Sequence, residues 1–199
     1  MIKEEIKEIE EYLTEPKHVK IIKIIAILIP IILISYLITY NFLLDQEFNH
    51  HYNIGGEEDY LSPLNRISEK YDNQRNLTGH LVYFEVNVPR GSKEIIVETK
   101  FKPNFPIGQN LKLGARNQEK WHYVWHTIYT QEEENKDWQT KTTTFNIKEE
   151  NLKIRNGKLS LVLNPQHLYK EEYKNYTIPI DWINITVYKP GLIKWNFTE

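Results

Sequence analysis

The sequence contains no cysteine. Disulfide staples, thiolate metal sites and thiol catalysis are excluded together. Any folded domain must therefore hold by its apolar core, which 40% hydrophobic and 13% aromatic residues make feasible. An excess of one charge is lacking as well: 25 Lys+Arg stand against 27 Asp+Glu, for a net charge of -2. Nucleic-acid binding usually leaves a basic footprint, so no nucleic-acid partner is expected. The sequence motifs of common catalytic machinery are missing: Gly-x-Ser-x-Gly, His-Glu-x-x-His and a phosphate loop. No cofactor is expected, and the chain reads as a non-enzyme. Carboxylate pairs are set by space rather than by sequence. Glu85 and Glu98, on facing candidate strands, are the pair to check, and both read as ordinary outward residues.

Against these absences stands one long hydrophobic run. Ile24 to Leu44 carries no charged residue, and its roughly 21 residues span about 31 Å as a helix, the thickness of a bilayer's hydrocarbon core. Lys20 and Lys23 are placed to snorkel at one end, and Tyr36 and Tyr40 fall toward the other interface. A cleaved signal peptide has an apolar region of only ~7–15 residues before a small-x-small site. Asn41-Phe42-Leu43-Leu44-Asp45-Gln46-Glu47 offers no such site, so an uncleaved, single-pass signal anchor over residues 20–44 is expected, with membrane lipid as its partner. Lys17, Lys20 and Lys23 flank the N-terminal side, whereas Asp45 and Glu47 come first on the other and the next basic residue is Arg66. The positive-inside rule then puts the N-terminus in the cytoplasm and the C-terminal domain outside. Sequons at Asn76, Asn175, Asn184 and Asn196 agree with an exterior location. Asn184 falls in a predicted strand, which leaves Asn76, Asn175 and Asn196 as glycosylation candidates.

Residues 1–19 read as a cytoplasmic segment with a short amphipathic helix. Ile2, Ile6, Ile9 and Leu13 form one narrow apolar stripe, and Pro16 ends it. Self-association or docking of a cytoplasmic partner is one reading of that stripe, and a solvated helix leading into the span is the other. Residues 45–78 show no strand or helix period and read as a linker or stalk. Within it, the acidic cluster Gly55-Gly56-Glu57-Glu58-Asp59 lacks the alternating spacing of a defined calcium loop.

From Gly79 the period becomes two. Val82, Phe84, Val86 and Val88 alternate with Tyr83, Glu85 and Asn87. Pro89-Arg90-Gly91-Ser92 is a turn, and Ile95, Val97, Thr99 and Phe101 alternate in the next segment, so the two read as a hairpin. Further strands are expected at 111–116, 120–130, 140–147, 158–163 and 176–189, the last broken near Pro179. Seven or eight strands without an intervening helix give a mainly β class: an antiparallel β-sandwich over residues 79–199, with jelly-roll and immunoglobulin-like topologies both open.

Two stretches carry a family resemblance: Gly157-Lys158-Leu159-Ser160-Leu161-Val162-Leu163-Asn164 and Ile183-Asn184-Ile185-Thr186-Val187-Tyr188-Lys189-Pro190-Gly191. They resemble jelly-roll sandwiches of the carbohydrate-binding-module and galactose-binding-like type. The resemblance implies that the final strand returns beside the first, and it assigns no binding residue.

The segment Trp121-His122-Tyr123-Val124-Trp125-His126-Thr127-Ile128-Tyr129 is the most distinctive. As a strand it sets Trp121, Tyr123, Trp125 and Tyr129 on one face. A row of exposed rings is a platform for the C–H faces of sugars, while the same row turned inward is core. His122 and His126 lie ~13 Å apart along a strand, too far to share one ion, so no metal site is expected. His50 and His51 read as interfacial. The expectation is a membrane-tethered extracytoplasmic binding or assembly module of the cell envelope that contacts surface glycan, envelope material or a partner protein. The alternative is a structural subunit of a larger membrane complex.

Overall fold

The computed structural model describes residues 16–54, 75–119, 122–166, 170–173 and 176–191. The N-terminal amphipathic stripe, the acidic cluster after Gly55, Trp121, Asn175 and Asn196 lie outside the described residues. The chain divides into two units: Met1–Leu44 with Gly191–Glu199, and Asp45–Pro190.

The described part of the first unit is a helix, α1 (Lys17–Ile38), followed by a π-helical turn over Thr39–Leu43. Pro16 precedes the helix in an extended conformation, and its carbonyl accepts from the Val19 N–H at 2.9 Å. The helix thus starts three residues before the expected span. Pro30 sits inside it, and none of its residues is buried. Its large apolar side chains, from Ile21 through Ile38, are about half exposed. A helix apolar on every face has no inward stripe to set against a soluble core. By length and composition α1 is able to cross a membrane. Tyr36 and Tyr40, one turn apart, stack at 6.0 Å.

The second unit is a sandwich of two antiparallel sheets. Its strands are β1 (Gln46–Asn53), β2 (Arg75–Leu77), β3 (Val82–Asn87), β4 (Glu94–Phe101), β5 (Asn110–Arg116), β6 (Tyr123–Thr130), β7 (Gln139–Asn146), β8 (Ile154–Arg155), β9 (Lys158–Pro165) and β10 (Ile178–Lys189). One sheet runs β1-β10-β4-β7 with β2 also paired to β10, and the other runs β3-β9-β5-β6 with β8 paired to β9. The inward residues of both sheets make one core, including Val82, Phe84, Val86, Ile95, Val97, Phe101, Leu111, Leu113, Phe145, Leu159, Leu161, Leu163, Ile183, Ile185 and Val187. The period-two alternation in β3 and β4 selects these faces correctly. The final strand β10 lies between β1 and β4; it returns beside a strand from the segment read as stalk, and not beside β3, the first strand expected from the sequence.

Three features depart from the sequence reading. First, β3 and β4 do not pair. The turn at Pro89–Ser92 carries the chain from one sheet to the other, so β3 pairs β9 while β4 pairs β10 and β7. Alternation fixes which face of a strand is buried and says nothing of its neighbour. Second, the stretch read as a stalk supplies two strands. β1 pairs β10 from Gln46↔Lys189 to Asn53↔Trp182, and β2 pairs it at Leu77↔Ile178. Together they form one edge of that sheet. In β1, Gln46, Phe48, His50 and Tyr52 are the half-buried residues, a polar alternation that hydropathy alone does not flag. Third, β10 runs through Pro179 without a break. Pro179 sits opposite Asn76 of the short strand β2, and a register shift follows between Ile180 and Trp182 on the β4 side.

Candidate functional site

The site is built on the outer face of the β3-β9-β5-β6 sheet. Four residues lie side by side across it, one per strand: Tyr83↔Val162, Val162↔Gly114 and Gly114↔Trp125 are direct partners. Val162 faces away from the core, yet it is fully buried. Its cover is the pair of rings beside it. A Cβ built on Gly114 would meet Trp125 Cε3 and Cζ3 at 2.8 Å and Val162 Cγ1 at 2.8 Å. The indole therefore packs against the glycine, in space that any other residue would fill. Glycine inside a strand marks such a close approach.

Two positions along the strands, the next outward row holds Glu85 opposite Ser160, and Arg116 opposite Tyr123. Tyr123 joins the two rows: its ring is 6.3 Å from Tyr83 and 5.7 Å from Trp125. The Ser160 side chain lies within its electrostatic reach. Burial, then Tyr83 nearby, pushes the Tyr123 phenol above its ordinary 10.0, against the opposing pull of Arg116 and Ser160. The phenol stays neutral and keeps its O–H at physiological pH. Leu81, Tyr83, His122, Tyr123 and Trp125 line an open groove of about 720 Å³. Trp125 remains 39% exposed.

The expected aromatic row is thus only partly assembled. Tyr123 and Trp125 share the outer face, joined by Tyr83 from β3, which the sequence marks only as an outward residue. Tyr129 does not share that face. The β5–β6 register jumps from Leu111↔Tyr129 to Lys112↔Thr127, so Ile128 is an extra residue, a β-bulge. The bulge shifts the alternation by one and turns Tyr129 inward, edge-on to Phe101 at 5.6 Å and Phe105 at 6.0 Å.

The histidines separate in the same way. His126 points inward, 4.6 Å from the Phe145 ring, with Nε2 2.7 Å from Glu150 Oε1. His122 lies outside, 3.3 Å from Glu119. His51 bonds Asn184 across β1 and β10, so the amide of that sequon is engaged within the sheet. Asn76 lies in β2 and is half-buried. Glu85 and Glu98 sit on the outer faces of opposite sheets, because β3 and β4 part company. The thickness of the sandwich, about 10 Å between sheets, keeps them from flanking one bond.

Neither a family model nor any curated protein matches this sequence. Similar solved structures include several carbohydrate-binding modules. The xylan-binding module CBM15 is 17% identical, with a TM-score of 0.43, over 75% of this chain and 99% of that one. The CBM22-2 xylan-binding domain of Paenibacillus barcinonensis Xyn10C is 11% identical, with a TM-score of 0.42, over 70% and 98%. Larger chains match over a minor part of their length: a ruminal GH26 endo-beta-1,4-mannanase is covered over 27%, at a TM-score of 0.41 and 10% identity.

Proposed function

We propose that this chain is a non-enzymatic binding module, anchored by α1 with its N-terminus in the cytoplasm, that presents the sandwich outside the cell and holds glycan against the Tyr83–Tyr123–Trp125 surface. The observation that carries this is the seat of Trp125. A large indole is seated against Gly114, in space that any other residue would fill, and is left 39% exposed. Flat exposed rings with a neutral phenol beside them suit a pyranose, whose C–H face packs on π surface while its hydroxyls take hydrogen bonds. An open groove fits a chain of sugars passing over the sheet better than a single small molecule held in a cavity.

The test is a titration of the full chain in neutral-lipid nanodiscs with cellohexaose, xylohexaose and hexagalacturonate, followed by tryptophan emission and calorimetry. At least one oligosaccharide is expected to quench emission, and Trp125→Ala to weaken that binding by about tenfold or more, the scale of one well-stacked ring. Binding that Trp125→Ala leaves unchanged, or no binding across neutral and acidic oligosaccharides, would sink the reading.

A further inference from the structure

We infer that the glycan held on this face carries acidic groups, carboxylate or phosphate, received by a basic pocket that continues the aromatic platform along β9; this rests on the glycan-binding reading above. The pocket, about 430 Å³, is lined by Glu85, Arg116, Lys153, Arg155, Asn156, Lys158 and Ser160. Four cationic side chains face one carboxylate there, in a chain whose net charge is -2.

The fold places them deliberately close. Arg116 is the direct partner of Tyr123, and Lys153 follows because its N–H donates to the Arg116 carbonyl at 2.8 Å. The two-residue turn Asn156-Gly157, with φ of 53° and 74°, folds β8 back on β9 and sets Arg155 opposite Lys158. The one acid, Glu85, meets Lys158 at 3.2 Å, and both side chains are more than half exposed. Such an exposed pair contributes little, and a ligand anion can displace it. Like charges collected at one spot repel, and an anion offsets that repulsion. Arginine's planar fork suits the two oxygens of a carboxylate or phosphate.

Tyr123 and Ser160 join the two parts. Tyr123 lines the aromatic groove and Ser160 the basic pocket, and Arg116 of the pocket is the direct strand partner of Tyr123. One extended ligand can thus lay a sugar ring on Trp125 and direct an acidic substituent toward Arg155 and Lys158. A neutral glycan would offer no charge to that cationic end.

The test compares matched ligands on the full chain in nanodiscs of zwitterionic lipid: hexagalacturonate against its neutral methyl ester, and oligomannose with and without 6-phosphate. At least one acidic member is expected to bind about tenfold tighter than its neutral counterpart, the scale of one charge-assisted contact, and to lose that advantage as salt rises. The exposed double variant Arg155→Ala/Lys158→Ala should erase the preference and leave neutral binding as it was. Glu85→Gln should tighten acidic binding, a gain that a folding defect cannot produce. Equal affinity for neutral and acidic members, lost together in Trp125→Ala, would overturn the acidic preference and leave the platform standing. Failure of every ligand would remove both.

Discussion

Gly114 shows how much of the site hangs on one missing side chain. Its backbone is not in the left-handed region, so its role is space rather than conformational freedom. Gly114→Ala would push a methyl to 2.8 Å from both the indole and Val162, and the ring must lift or slide. Overpacking of this kind costs about 1–3 kcal/mol. The expected result is a lower melting temperature and a shift in tryptophan emission, with weaker glycan binding than wild type. An unchanged emission spectrum and affinity would show that Trp125 is not held by this contact. Trp125 itself stands out in the sequence because of the aromatic run around it. Its seat does not, because pairing Gly114 with Trp125 depends on the β5–β6 register, and register is a property of two strands.

At the scale of elements, the bulge in β6 divides the aromatic segment between two tasks. Trp125 and Tyr123 face outward, and beyond Ile128 the chain turns Tyr129 into the core against Phe101 and Phe105. The two single variants should separate these tasks. Tyr129→Ala removes a ring packed on core residues and should cost about 3–5 kcal/mol of stability, as large-to-small core changes do. Trp125→Ala removes a partly exposed ring, uncovers Val162 and should cost about 1–2 kcal/mol while weakening ligand binding. Denaturant melts of both variants check this; equal losses would mean that Trp125 is as structural as Tyr129. Alternation read from sequence identifies the inner faces of β3 and β4 residue by residue, because each burial decision is local. It misplaces Tyr129, since one inserted residue inverts every face after it, and it pairs β3 with β4, since a tight turn serves a sheet-to-sheet crossing as well as a hairpin. β1 is illegible for a third reason. At a sheet edge Gln46, Phe48, His50 and Tyr52 turn inward, and they reach half-burial only, so selection for apolar residues there is weak.

For the whole molecule, the proposed topology runs α1 through the membrane, with Lys17 and its neighbours on the cytoplasmic side and the sandwich outside. The distribution of charge supports it. Lys17, Lys20 and Lys23 lie at the N-terminal end of the apolar helix, while Asp45 and Glu47 are the first charges after it. Translocating the lysine-rich flank would be opposed by the positive-inside bias, and the acidic flank is indifferent to it. The absence of native cysteine makes this directly measurable. Glu134→Cys places a thiol on an exposed loop of the sandwich, and Lys17→Cys places one at the exposed start of α1. In intact cells a membrane-impermeant maleimide should label Glu134→Cys at once, and Lys17→Cys only after permeabilisation, with both proteins resisting alkaline carbonate extraction. The reverse labelling order would invert the topology and leave the platform facing the cytoplasm, where an extracellular glycan cannot reach it. Release by carbonate would remove α1 as an anchor while leaving the sheet and its rings untouched, so the topology and the binding surface stand or fall on separate measurements.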